Sequence, residues 1–145
     1  MRSITTLIFL IVLASCSGKK EPSEVGNPVE PGGTEGLEKE VMEVHDEVMP
    51  RMGELYTWKT RLKSKLDSAG VSEKRREELV VTINKIDSAY QGMMTWMHQY
   101  NPVPDSVNHE RAREYLENEM QKIKKVRNDI VEAIEKAEDV AKEKK

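Results

Sequence analysis

Three apolar stripes with the spacing of a helix face run through the chain from residue 37 onward, and they leave few folds open. In the first, Leu37, Val41, Val44, Val48, Met52, Leu55, Leu62, Leu66 and Ala69 follow one another mostly at steps of three and four. The second holds Leu79, Ile83, Ile86, Tyr90, Met93, Met97 and Tyr100. The third holds Ala112, Leu116, Met120, Ile123, Val126, Ile130, Ile134, Ala137 and Ala141. At 3.6 residues per turn each set falls on one face, and such a face is stable in water only when it is covered. Nothing in the chain alternates with the two-residue period of a strand.

The stripes are separated by helix breakers. Gly70 ends the first, and Ser72 is placed to cap the second. Asn101-Pro-Val-Pro-Asp-Ser106 ends the second, with Asp105, Ser106 and Asn108 as candidate caps for the third. Connections this short make neighbouring helices antiparallel. The expectation is an all-α fold, an elongated antiparallel three-helix bundle (up-down-up), with helices near 37–69, 72–100 and 107–143. At 1.5 Å per residue they would be roughly 40–50 Å long. A hairpin whose third helix is exchanged between subunits is the structural alternative. Pro50 interrupts the first stripe, where a missing amide and a steric clash predict a kinked continuous helix or, as the alternative, a short helix that ends and a longer one that begins. Gly53 and Gly92 suggest close backbone approach beside that distortion.

The first 36 residues have a different character. Residues 2–16 read RSITTLIFLIVLASC: an arginine, an apolar run, then small residues and the chain's only cysteine. That is the layout of a signal peptide, and the run is too short for a transmembrane helix of about 20 residues. Leu13-Ala14-Ser15-Cys16 resembles the lipobox of bacterial lipoproteins. The resemblance implies cleavage after residue 15, lipidation of Cys16, as with palmitate, and a mature chain that starts there. Residues 16–36 then form a flexible tether, rich in Gly and Pro and poor in apolar side chains, leaving 37–145 as the bundle domain. The basic GKKE sequence after the cysteine resembles that of lipoproteins held in the outer membrane facing the periplasm. A single cysteine allows no internal disulfide.

Methionine and histidine are unevenly spread. Folding the first hairpin about Gly70 places His45 level with residues near 95 and Met49 near 91. Folding the second about residues 103 and 104 places His109 level with Met97 and His98. This gathers Met42, His45, Met49, Met52, Met93, Met94, Met97, His98 and His109 at one end, leaving Met120 outside. His45, Met49, Met52, Met93, Met94, Met97, His98 and His109 are therefore the candidate partner or ligand surface. His45, Met49, Met52 and Tyr56 form a stripe beside the main one. Methionine fills irregular gaps and makes sulfur–aromatic contacts, for which Trp96, Tyr90, Tyr56 and Tyr100 are at hand. Packing is the leading reading and an adaptable apolar groove the second. A soft-metal site of the Cu(I) type, using His45, Met49, Met97 and His98, is the alternative. No cofactor is expected, and no Cys-x-x-Cys-His is present for haem attachment.

The charges suggest a solvated surface. Net charge is −3, and basic runs such as Lys74-Arg75-Arg76 are interleaved with acids, which argues against nucleic acid as a partner. Glu132 and Lys136 are spaced as a helix-surface pair, and Glu119 reads as another surface charge. Glu43, Asp46 and Glu47 read as a solvated face. No nucleophile with a base, glycine-rich phosphate loop or zinc-protease signature is found, so no catalytic residue is assigned. Ser106 near His109 reads as a cap.

The lipobox, MEVHDEVMPRMGEL from Met42 to Leu55, and MMTWMHQYNPVP from Met93 to Pro104 resemble a group of short Bacteroidota lipoproteins of unknown function. Some carry the label "viral A-type inclusion protein". The resemblance implies no chemistry and no active site. The expectation is a membrane-anchored periplasmic lipoprotein that serves as a non-enzymatic structural or interaction module of the cell envelope. Its membrane contact would be the lipid, and an envelope protein is a candidate partner. Oligomeric state is not legible.

Overall fold

A computed structural model of the chain describes residues 33–142 apart from Asp105. The expected signal peptide, Cys16 and most of the tether lie outside the described residues, as does the candidate cap Asp105. Four helical segments are described: α1 Thr34–Val48, α2 Arg51–Leu66, α3 Glu73–Gln99 and α4 His109–Lys142. Every regular element among the described residues is helical. None of these helices is long and apolar enough to cross a membrane.

Cross-helix contacts fix the topology. Lys59 of α2 pairs with Asp87 of α3, and Lys85 of α3 reaches Glu132 of α4 at 3.1 Å. Lys65 of α2 donates to the Ala141 carbonyl at 2.6 Å. The first arm (α1 and α2) and α4 therefore run parallel, with α3 antiparallel between them in sequence. The protein is an up-down-up three-helix bundle. α4 packs on α1, α2 and α3 of its own chain, so the third helix completes the bundle intramolecularly.

The first arm opens earlier than its apolar stripe. The Leu37 amide donates to the Gly33 carbonyl at 2.9 Å, which draws Thr34, Glu35 and Gly36 into the helix. Regular structure stops between Val48 and Arg51, yet Met49 (φ −55°, ψ −41°) and Pro50 (φ −58°, ψ −29°) keep right-handed helical dihedrals. The junction is a gap in hydrogen bonding within a helical path. Pro50 has no amide to give the Asp46 carbonyl. The Met52 amide instead takes the Met49 carbonyl at 3.1 Å, one residue short of the α-helical step.

The caps follow from local chemistry. Ser72 accepts from the Arg75 amide at 3.4 Å. Asn108 Oδ1 accepts from the amides of Glu110 (2.9 Å) and Arg111 (3.4 Å), so Asn108, not Ser106, caps α4. Gly70 has φ +78°, where a Cβ is strained. The expected close approaches at the other glycines are not found. A Cβ on Gly53 would meet nothing within 4 Å, and one on Gly92 would touch only Val126 Cγ2 at 4.0 Å. Gly53→Ala is expected to raise unfolding free energy by about 1 kcal/mol in urea titration. Gly70→Ala should lower it by about 1–2 kcal/mol.

Leu55, Leu62, Leu79, Ile86, Ile123, Ile130, Ile134, Ala133, Ala137 and Val140 form one core with Val41, Val48, Met52, Met93 and Trp96. Surface charges tie the arms across the bundle as well as along helices. Glu132 and Lys136, expected to pair with each other, instead reach Lys85 (3.1 Å) and Glu78 (3.9 Å) on α3. Antiparallel packing offers each a nearer opposite charge there.

Candidate functional site

The register of the second hairpin decides which side chains share the methionine-rich end. Tyr100 stacks on Tyr115 with ring centroids 6.4 Å apart, and Glu78 meets Lys136. α4 is therefore displaced by about two turns from the expected alignment. The cause is the connection, which runs outward along the bundle before turning. The Asn101 amide is held by the Tyr115 hydroxyl at 2.9 Å, and the Val103 amide by Glu38 Oε1 at 3.4 Å. As a result His109, the first residue of α4, lies beyond the end of α3 and is exposed. Met120 moves the other way, to the level of Met94 and Thr95, and is buried there.

The first hairpin keeps its expected level. The His45 ring lies 5.7 Å from Trp96, and Trp96 stacks on Tyr100 at 4.9 Å. An aromatic file, His45–Trp96–Tyr100–Tyr115, thus links α1, α3 and α4. Met93 is fully buried and Met52 nearly so, and Met42, Met49, Met94 and Met97 pack half-buried against the same core. Tyr56, in contrast, is 71% exposed, and Tyr90 also faces solvent. These two flank a shallow cleft beside Lys59 and Asp87, away from the His45–Trp96–Tyr100 ring contacts.

The candidate metal set is not brought into one cup. Steps of about 100° per residue put His98 and Trp96 on nearly opposite flanks of α3, and His45 packs on the Trp96 flank. His98 turns outward with Nδ1 on its own Met94 carbonyl at 2.8 Å. His45 Nδ1 sits 2.9 Å from Asp46 Oδ1. Among the described residues no group of three or more His, Cys, Asp or Glu is arranged to hold a metal ion. Glu43, Asp46 and Glu47 are exposed, with Glu47 3.7 Å from Arg127.

The unexpected member of this end is Glu119. Only 2% exposed, it is a carboxylate in the core. Its Oε1 receives Lys122 Nζ at 2.7 Å, which holds the Lys122 ammonium above its ordinary pKa. Oε2 has no hydrogen-bond partner among the described residues, and neither has Nε1 of the buried Trp96. The register that stacks Tyr100 on Tyr115 places Trp96 and Glu119 level with each other across α3 and α4. A buried polar atom left unpaired costs about 1–3 kcal/mol, so two at one level mark a place where packing has overridden polar satisfaction.

Glu38 organises the rim. Its Oε1 accepts the Tyr100 hydroxyl at 3.2 Å as well as the Val103 amide. Burial, then the Glu38 charge and hydrogen bond, push the Tyr100 hydroxyl well above the ordinary tyrosine pKa. The folded chain therefore keeps this proton to higher pH than the unfolded chain does. The resulting stabilisation is complete below about pH 10 and is lost as pH rises beyond the unfolded-state value. The stability advantage of wild type over Tyr100→Phe, read from urea midpoints, should be constant at neutral pH and shrink above about pH 10.

At the far end, Lys65 and Arg75 donate to the Ala141 and Val140 carbonyls in the last turn of α4. Cations there complement the helix macrodipole. The cleft beside them reads as the seam where three helix ends are stitched together.

Fold and site together define a class: a small three-helix bundle with an aromatic, methionine-rich end built over a buried carboxylate. No known protein family, curated protein or solved structure matches the chain.

Proposed function

We propose that this chain is a lipid-anchored helical module of the bacterial cell envelope that works by docking and spacing, without catalysing a reaction. The observation that carries the reading is Leu13-Ala14-Ser15-Cys16, where an apolar run ends in small residues and the only cysteine. Acyl chains on Cys16 would supply the membrane contact, at about 0.8 kcal/mol per buried CH₂, and stable anchoring takes more than one chain. Residues 17–32 would separate the anchor from the bundle. The basic residues after the cysteine favour the outer membrane, facing the periplasm. An envelope protein is the partner this address makes available, and the adaptable methionine side chains around Trp96 suit such a contact.

The test is metabolic labelling with an alkynyl palmitate in a bacterial host, followed by membrane fractionation. Wild type should take up label and sediment with membranes, and Cys16→Ala should lose both properties. Label retained on Cys16→Ala would sink the proposal, as would an unlabelled wild type that still carries residues 1–15.

A further inference from the structure

α1 differs from the other helices in how it is joined, in what it buries and in what it covers. It is joined through Met49 and Pro50, where the Asp46 carbonyl has lost its proline-blocked donor and Met52 bonds one residue short. Separation at this point disrupts less backbone hydrogen bonding than a break inside α3 or α4. Of its own side chains only Val41 and Val48 are buried outright. Leu37, Met42 and Val44 are half-buried against the core.

What α1 covers is the polar level of the bundle. Glu47 lies beside Arg127 and Lys65 reaches Ala141. This parallel register sets the Lys39–Glu43 turn opposite Glu119, about two turns before Arg127. His45 lies on Trp96. Docking α1 therefore helps seal Glu119 Oε2 and Trp96 Nε1 from water without giving either a partner among the described residues. Its remaining attachments are rim contacts: Glu38 to Tyr100 and Val103, and Glu47 to Arg127.

We infer that α1 is a strap, hinged at Met49–Pro50, that undocks from α3 and α4 as a unit while α2, α3 and α4 stay folded. The open state hydrates the Glu119 carboxylate and the Trp96 indole N–H. It also exposes apolar surface between α3 and α4, with Met93, Leu116 and Met120 at that level. The strap's free end leads directly into residues 17–32. On the envelope reading, α1 is the element through which the anchor meets the domain, but the undocking itself does not depend on acylation.

Native-state hydrogen exchange, read by mass spectrometry on the full chain purified in detergent, tests this. Peptides from α1 should exchange about ten-fold or more faster than those from the centre of α3, at a rate that rises with denaturant but less steeply than global unfolding does. Glu119→Leu, which removes the buried Oε2 that has no partner among the described residues together with the Oε1–Lys122 pair, should slow α1 exchange about ten-fold and leave α2 unaffected. Pro50→Ala, which restores the donor, should also slow α1 and serves if Glu119→Leu fails to fold. Equal exchange in α1 and α3 would overturn the proposal, and so would an α1 rate that neither substitution changes.

Discussion

Ile130→Ala is expected to lower the unfolding free energy by about 2–5 kcal/mol, with the midpoint of urea unfolding falling and its slope unchanged. Ile130 is fully buried in the central part of α4, which packs on the first arm and on α3. Removing its branched chain leaves a cavity where α4 meets the helices it packs on, and a packed core collapses into such a space only in part. A domain of this size holds together by about 5–15 kcal/mol, so this one side chain carries a large part of the margin. Glu135→Ala, on the exposed side of the same helix, should change stability by no more than about 0.5 kcal/mol.

At position 96 two substitutions should separate ring from N–H. Trp96→Ala is expected to cost about 3–5 kcal/mol, because the ring is buried between His45 and Tyr100 and no neighbour can fill its volume. Trp96→Phe keeps an aromatic face in the file and removes the unpaired Nε1–H. Its cost should be less than half that of the alanine variant, as relief of the orphaned donor offsets part of the lost area. Urea unfolding followed by circular dichroism measures both. Equal losses for Phe and Ala would mean that the indole nitrogen is satisfied and not a liability.

The three arms, their order and their breaks were legible because they depend on local chemistry. Apolar spacing, Gly70 at positive φ, Ser72 as a cap and Pro50 as a missing donor act over one or two turns. Glu119 was legible too, though it was read as a surface charge. Ala112, Leu116, Glu119, Ile123, Val126, Ile130, Ala133, Ala137 and Val140 form an unbroken ladder of alternating four- and three-residue steps, and Glu119 occupies a rung. Met120, next to it, offered an apolar substitute for the same rung, and charged residues are rarely buried whole. The chemistry of the residue outweighed the geometry of its position.

The register of the second hairpin could not be read. It depends on whether residues 100–108 fold tightly or run on, and that is settled by Tyr115 in the second turn of α4 and by Glu38 on α1, distant in sequence, which capture the Asn101 and Val103 amides. From that one alignment follow the departure of His109, the arrival of Met120 and the placement of Trp96 level with Glu119. The first hairpin was easier because Gly70 marks a single tight turn.

The sequence by itself determined that this protein would be three amphipathic helices in up-down-up order, because helix faces and helix ends are encoded within a few residues of one another. Only the tertiary structure decided that His45 and His98 lie on opposing flanks, that Glu132 and Lys136 each pair across the bundle with α3, and that a carboxylate with one oxygen unpaired among the described residues is buried at the level α1 covers. Those outcomes depend on axial register and on rotation about helix axes. Long-range contacts set both, and no local pattern encodes either.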